Sequence, residues 1–274
     1  MNKRIVSIVL GALCAGALTA HAQDSAPAVV SPPPAPAAAP PALDVTLTPT
    51  YVSQYMFRGQ RLSGQSFQPS VEADYGSWAL GVWSSTPIDN EAKVPGQSDP
   101  EVDPYGSYTF ALNDNLSLQP GFTWYTYPHA NPQNGFYRMT FEPNLALNYT
   151  VYGLKLTPKF YRDLVLDQNT YELSGTYAVP LKDEGTELDF TGTAGTYEGT
   201  HEVDHASPDV KAWGNYWLLG VSAPFQITKN SKLTVGWAYT EGNDAYFKQA
   251  GTRKVPNSAA VGRGVATVSY AWTF

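Results

Sequence analysis

The sequence predicts an all-β fold: an antiparallel up-and-down transmembrane β-barrel of about twelve strands, with short periplasmic turns and longer extracellular loops. Three observations lead to this prediction. The final segment alternates and ends in an aromatic residue, with Val268, Tyr270, Trp272 and Phe274 on one face. Similar alternation recurs along the chain. The connections between alternating segments are short and long in turn, as in bacterial outer-membrane barrels.

The chain begins with the features of a signal peptide. Lys3 and Arg4 precede an almost wholly apolar run, which ends in the small-x-small sequence Ala20-His21-Ala22. We therefore assign residues 1–22 to a signal peptide. No later segment approaches the roughly 20 consecutive apolar residues of a helical membrane span, so strands must make any membrane crossing.

Residues 23–43 are dominated by Pro and Ala and lack the side chains that build a core. Such a composition favours an extended conformation, and we interpret the segment as a periplasmic linker. Residues 44–274 form the predicted barrel. The single cysteine, Cys14, lies within the signal peptide, so the mature chain is expected to have no disulfide.

The barrel region is rich in Tyr, Trp, Phe, Thr and Gly, which suit strands and tight turns. Removal of Lys3 and Arg4 from the 17 basic residues leaves 15 against 24 acidic residues, a net charge of -9. This acidic balance argues against nucleic acid as a partner, because nucleic-acid binding requires a basic face.

Alternation is clearest at 137–148, where Tyr137, Met139 and Phe141 share one face and Arg138, Thr140 and Glu142 share the other. A lipid-facing surface and a wet lumen sort residues in this way. The same split is present in the segments 45–57, 67–75 and 78–84. Further strands are predicted to start near Val102, Leu116, Leu154, Tyr171, Leu188, Trp213, Leu233 and Gly264.

Connection lengths provide an independent test. If the first strand runs outward, the periplasmic turns fall at 76–77, 113–115, 150–153, 181–185 and 228–230. The opposite connections fall at 59–66, 87–100, 128–135, 163–169, 198–211 and 241–263, and most of these are long and polar. This alternation indicates an even number of strands with both termini on the periplasmic side.

A soluble sandwich or lipocalin-like barrel is the alternative fold, since both alternate in the same way. Two features argue against it. Trp and Tyr cluster near the segment ends on the apolar faces, as an interfacial aromatic belt requires. Charged residues concentrate on the opposite faces, which in a small soluble barrel would be a packed core where an unpaired charge is costly.

Several motifs resemble those of the TorF-like porin family of Gram-negative bacterial outer membranes. They are Phe57-Arg58-Gly59, Trp83-Ser84, Glu101-x-Asp103-x-Tyr105 and the terminal segment ending in Phe274. The resemblance covers the first hundred mature residues well and the remainder mainly by pattern. It implies a porin in the outer membrane. The Pro/Ala linker and the long segments 198–211 and 241–263 depart from it, so selectivity carried by loops cannot be transferred.

In a barrel, the chemistry of passage belongs to side chains that face the lumen. Alternation predicts the inward, pore-lining residues Arg58, Glu72, Asp74, Glu101, Asp103, Arg138, Glu142, Lys155, Lys159, Glu172, Glu187 and Asp189. One interpretation is a polar channel whose acidic and basic walls create a transverse field. The other is a lumen filled by cross-strand ion pairs, for example between Glu142 and Lys155 or Lys159.

We expect Arg58-Gly59 to end the first strand and open its loop, because Gly allows backbone geometries closed to other residues. Arg58 then either reaches into the pore mouth or pairs with Glu72 or Asp74. Pairing is the favoured interpretation.

Metal and enzyme functions find little support in the sequence. The segment His201-Glu202-Val203-Asp204-His205 carries metal-ligand types but falls in a predicted loop, which favours a solvated segment. His129 also falls in a predicted loop. No Gly-x-Ser-x-Gly motif and no cysteine nucleophile accompany these histidines. We predict no metal, no cofactor and no enzymatic activity.

The sequence thus predicts an outer-membrane porin-like channel for passive diffusion of small hydrophilic solutes or ions. The alternatives are a filled structural or adhesive barrel and, less favoured, a lipid-modifying enzyme of the outer membrane. The expected partners are the permeating solutes, outer-membrane lipid and the barrel assembly machinery, which would contact the C-terminal Phe274.

Overall fold

A computed structural model describes residues 42–88, 100–130, 137–181, 185–201, 210–243, 247–248, 254–255 and 260–274. The predicted signal peptide, nearly all of the linker and residues 202–205 lie outside these ranges. Within them, no helix is long and apolar enough to cross a membrane.

The described chain is built from strands, in agreement with its β-branched, aromatic and glycine-rich composition. The segments, in chain order, are β1 (Leu43–Thr48), β2 (Thr50–Val52), β3 (Tyr55–Phe57), β4 (Gln60–Ser63), β5 (Ser66–Phe67), β6 (Ser70–Tyr75), β7 (Trp78–Pro87), β8 (Glu101–Tyr108), β9 (Phe110–Asn113), β10 (Leu116–Thr126), β11 (Met139–Val151), β12 (Leu154–Asp163), β13 (Gln168–Leu181), β14 (Thr186–His201), β15 (Val210–Thr228), β16 (Ser231–Gly242), β17 (Phe247–Lys248), β18 (Lys254–Val255) and β19 (Arg263–Thr273).

These segments form a closed, antiparallel barrel of twelve strands, which confirms the predicted fold class. Three barrel strands are each divided into two segments: β1 with β2, β5 with β6, and β8 with β9. Neighbours in sequence pair as neighbours in the sheet, and β19 closes the barrel by pairing with β1 and β2. Each of the twelve barrel strands thus pairs with a neighbour on both sides, as a barrel in lipid requires.

The connections alternate in length as predicted. Two-residue turns join β6 to β7, β9 to β10, β11 to β12 and β15 to β16, and residues 182–185 join β13 to β14. We refer to this end of the barrel as the turn end and to the opposite end as the loop end. One connection at the loop end is also short, because β12 and β13 are separated only by residues 164–167.

The outer surface of the barrel is apolar. On β7, for example, Trp78, Leu80 and Val82 are exposed, whereas Trp83 between the outward positions is buried. Trp78 and Trp272 lie near the turn end, and Trp124 and Trp213 near the loop end. The apolar wall is therefore bordered at both ends by indole rings, the arrangement of residues that contact the two interfaces of a bilayer.

The prediction that the first strand runs through 45–57 is wrong beyond Val52. The chain leaves the barrel wall there, and β3 and β4 form a separate two-stranded hairpin. Arg58-Gly59 is the turn of this hairpin and does not end a barrel strand. Alternation was misleading here because β3 also alternates, with Tyr55 and Phe57 facing the same side.

Candidate channel constriction

The hairpin of β3 and β4, which we call the inner hairpin, folds into the barrel at the loop end. Its side chains contact the inner faces of several barrel strands, and Tyr55, Phe57, Arg58, Gln60, Leu62 and Ser63 are all buried. A hairpin that lay outside the barrel would leave one of its faces exposed to solvent. The inner hairpin therefore obstructs part of the barrel cross-section.

Arg58 binds the barrel wall through a bidentate ion pair with Glu142 on β11. Nη1 donates to Oε2 at 3.0 Å and Nη2 donates to Oε1 at 2.9 Å. The two side chains are only 3% and 2% exposed. The guanidinium also lies 4.6 Å from the ring centroid of Phe57 and 4.8 Å from that of Tyr161 on β12. This pairing replaces the expected partners of Arg58, Glu72 and Asp74.

A second polar contact lies on β8. The hydroxyls of Tyr55 and Tyr127 donate to the two carboxylate oxygens of Glu101 at 2.9 and 3.0 Å. Burial raises the pKa of the Tyr55 phenol well above its usual value, and the nearby Glu101 and Asp103 raise it further. The hydroxyl therefore stays protonated and donates its hydrogen bond. Asp103, also fully buried, accepts the backbone N–H of Thr126 at 3.2 Å.

An apolar cluster completes the attachment of the inner hairpin. Tyr55, Phe57 and Leu62 of the hairpin pack in one cluster with Trp83, Tyr125, Tyr127, Ala130 and Leu166. Removal of this surface from water favours the inserted position of the hairpin. Within the described residues, this aromatic cluster is the apolar core of the protein, and it lies inside the barrel.

The tip of the inner hairpin reaches the opposite part of the wall. Gly59 has a φ of 73°, and a Cβ at this position would lie 2.4 Å from the Cα of Gly242 at the end of β16. The Gly59 carbonyl accepts the backbone N–H of Val261 at 3.3 Å. Both the turn geometry and the close approach require Gly here. Because contacts extend from Glu101 on β8 to Gly242 on β16, the hairpin spans the lumen.

Two carboxylates on the inner wall are held by the same three-strand arrangement. Glu172, Gly195 and Tyr216 are direct neighbours in register on β13, β14 and β15. The Tyr216 ring covers Gly195, and its hydroxyl donates to Glu172 at 2.5 Å. Glu72, Gly81 and Tyr105 repeat this arrangement on β6, β7 and β8, where Tyr105 hydrogen-bonds Glu72. In each case glycine makes room for a tyrosine that orients a carboxylate two strands away.

The other predicted residues are distributed along the barrel. Lys159 on β12 is the register partner of Glu172, and its Nζ lies 4.7 Å from the centroid of the Tyr161 ring. Arg138 is exposed just before β11, and its Nε donates to the Ala130 carbonyl. Four residues lie half-buried towards the turn end: Asp74, Lys155, Glu187 and Asp189.

The structure thus brings Arg58, Glu142 and Glu172 together around Tyr161, whose hydroxyl donates to Glu172 at 3.1 Å. The strand register does not support the expected pairs of Glu142 with Lys155 or Lys159, because it places those lysines opposite Thr150 and Ala146. The sequence interpretation missed the tyrosines that hold the carboxylates. Their signal was the presence of tyrosine on the polar face of β10, β12 and β15, where alternation predicts charged or small polar residues.

Residues 202–205 of the predicted histidine-rich segment and the side chain of His201 lie outside the described part of the chain. Among the described residues, no group of three or more His, Cys, Asp or Glu side chains could hold a metal ion. His129 is exposed in the connection between β10 and β11.

The inner hairpin and its contacts can be compared with known proteins only at the level of the fold. The KdgM porin has a TM-score of 0.50 at 12% identity, covering 84% of this chain and 99% of the porin. The NanC porin gives 0.47 at 14% identity, with the same shares covered. LpxR from Salmonella typhimurium gives 0.47 at 7% identity, covering 84% of this chain and all of that one. At these identities the likeness concerns the barrel alone.

A search of curated proteins gives no significant match. Residues 36–269 match the sequence profile of a family described as bacterial protein of unknown function, Gcw_chp. The match spans the barrel and most of the chain, whereas the TorF-like name that the motifs suggested is not confirmed. The chain is therefore a member of the Gcw_chp family.

Proposed function

We propose that this protein is a porin-like channel of the outer membrane that admits small hydrophilic solutes or ions by passive diffusion. The observation that carries the proposal is the distribution of polarity. The barrel exposes apolar and aromatic residues on its outside and carries carboxylates, lysines and tyrosine hydroxyls on its inside. A wet lumen makes this arrangement favourable, because charged side chains there retain water.

The inner hairpin sets the narrowest part of the proposed channel. It spans the lumen at the loop end, whereas the turn-end half carries half-buried Asp74, Lys155, Glu187 and Asp189. Charges of both signs at this level would orient small polar solutes. Among the described residues of the constriction, four buried carboxyl groups accompany one buried guanidinium, that of Arg58: Glu101, Asp103, Glu142 and Asp163. We therefore expect the channel to prefer cations over anions.

The second candidate is a filled structural barrel without conductance. The apolar cluster around Tyr55, Phe57 and Leu62 favours it, because this cluster occupies the loop end of the lumen. An enzyme is the less favoured candidate. The hydrogen bonds of Tyr55 to Glu101 and of Arg58 to Glu142 attach the inner hairpin to the wall and give no support to a catalytic role.

Conductance in a planar bilayer separates these functions. We expect the refolded mature protein to give discrete ohmic steps and reversal potentials that favour cations in a salt gradient. A variant with residues 54–64 replaced by a short Gly/Ser linker should give larger steps, because the hairpin is not part of the barrel sheet. Folded protein that inserts without steps, in both the full chain and this variant, would reject the channel.

A further inference from the structure

The barrel wall carries a pocket that fits a guanidinium group, and in this structure the guanidinium of Arg58 on the inner hairpin fills it. We propose that this pocket, formed by Glu142, Tyr125 and Tyr161 and here called the Glu142 pocket, binds solutes that bear a guanidinium group. Arg58 occupies the pocket in cis until such a solute displaces it. This inference rests on the proposed channel function, for which it names the class of solute.

The Glu142 pocket is fixed by contacts that do not involve Arg58. The Tyr125 hydroxyl donates to Glu142 Oε1 at 2.9 Å, which orients the carboxylate. The Tyr161 hydroxyl donates to Glu172, which also accepts the hydroxyl of Tyr216. All these residues belong to barrel strands. A pocket that is already organised loses little entropy on binding, so it can receive a ligand other than Arg58.

The chemistry of the pocket selects a guanidinium over other cations. Two parallel N–H to oxygen bonds of 2.9 and 3.0 Å match the planar fork of a guanidinium to both oxygens of Glu142. The Tyr161 ring lies beside the planar cation at cation–π distance. An ammonium group presents a point charge and forms no such fork, and a quaternary ammonium has no donor.

The inner hairpin is not part of the barrel sheet, so it can leave the pocket while the sheet stays closed. Its strands pair with each other in a separate sheet, and its bridge to the remainder of the described chain joins Gln60 to Ala260, outside the barrel strands. The backbone at Arg58 also has a φ of 47°, a left-handed conformation that is costly for a residue with a side chain. Arginine at this position thus has a cost that its side-chain contacts offset.

Charge near the pocket favours the exchange. Glu101 and Asp103 on β8 and Glu172 on β13 are acidic groups of the inner wall close to the constriction. A cationic solute that enters the loop end therefore meets an attractive potential, while an anionic solute meets repulsion. When the solute takes the place of Arg58, the carboxylate stays paired and the hairpin loses its ionic attachment.

The test uses the full-length mature barrel, folded in detergent, with methylguanidinium chloride as the probe and tetramethylammonium chloride at equal concentration as the control. Arg58→Ala vacates the pocket and removes the cation that pairs with Glu142. On heating, the variant should therefore unfold at a lower temperature than the wild type, as measured by loss of the electrophoretic mobility of the folded barrel. Methylguanidinium at millimolar concentration should raise this temperature saturably by a few degrees, and tetramethylammonium should not. Arg58→Ala/Glu142→Gln should show no such rescue.

A second readout serves if Arg58→Ala does not fold. In the wild type, methylguanidinium should displace Arg58 and increase amide exchange within residues 55–63 several-fold, while the barrel strands stay protected. Equal effects of the two probes, or rescue that persists in the double variant, would overturn the inference. Specific rescue without conductance in any variant would retain the site and reject the channel, whereas conductance without specific rescue would reject the site alone.

Discussion

At single positions on the inner wall, a glycine makes room for a long side chain from the neighbouring strand. Gly195 has no side chain, and this lets the Tyr216 ring lie flat across β14 and donate to Glu172. A larger residue at 195 would force the ring into the lumen and leave the carboxylate without one of its donors. This glycine thus permits a side-chain contact between β13 and β15, which are separated in the sheet by β14.

We predict that Gly195→Ala destabilises the barrel by about 1–3 kcal/mol, because a new methyl group must displace a packed ring. A Cβ at 195 would lie 2.3 Å from the Tyr216 ring, whereas a Cβ at Gly175 would be 3.5 Å from its nearest neighbour. Gly175→Ala, on the outer face of β13, is the control for a methyl group added where there is room. Urea unfolding in lipid vesicles should give a lower midpoint for Gly195→Ala than for Gly175→Ala. Equal midpoints would show that the ring moves at no cost.

Among the elements, the inner hairpin differs most from what the sequence predicted. Most barrel strands were predictable, because a lipid-facing and a lumen-facing side impose a period of two on each of them. The same period marks β3, since any strand with one apolar face alternates. Periodicity gives the faces of a strand but not its neighbours, so it could not separate the wall from an insertion. The contact of Arg58 with Glu142 depends on the placement of the hairpin, so periodicity could not predict it either.

The mobility of the inner hairpin can be tested with an introduced disulfide. The only native cysteine, Cys14, lies in the predicted signal peptide, so new cysteines would be the only ones in the mature barrel. Gln60 and Ala260 are partners in an antiparallel bridge, a separation at which a disulfide can form.

We predict that oxidised Gln60→Cys/Ala260→Cys has fewer openings in a planar bilayer than the same protein after reduction, because the crosslink holds the hairpin across the lumen. Each single-cysteine variant is the control and should not respond to the reductant. If oxidation and reduction leave the current of the double variant unchanged, passage does not require movement of the hairpin.

The whole molecule has its polarity inverted relative to a soluble protein. Most of its large apolar side chains on the barrel strands point outward, and the described interior at the loop end combines an aromatic cluster with carboxylates and the guanidinium of Arg58. In water, such an exterior would favour association with other apolar surfaces. In a bilayer, the same exterior is solvated by lipid, and the closed sheet satisfies the backbone. This distribution of polarity therefore suits a lipid bilayer as the surrounding solvent.

Two neighbouring residues on one barrel strand provide a direct test of whether the outer wall faces lipid. On β16, Val235 is exposed on the outer wall, and Thr234 next to it points to the opposite side. We predict that Val235→Arg lowers the free energy of unfolding in lipid vesicles by about 2–4 kcal/mol, because a cation near the bilayer midplane is poorly solvated. Thr234→Arg should cost much less, since water in the lumen solvates the new charge. Urea titration of both variants compares the two faces at one depth, and equal losses would argue that the outer wall does not face lipid.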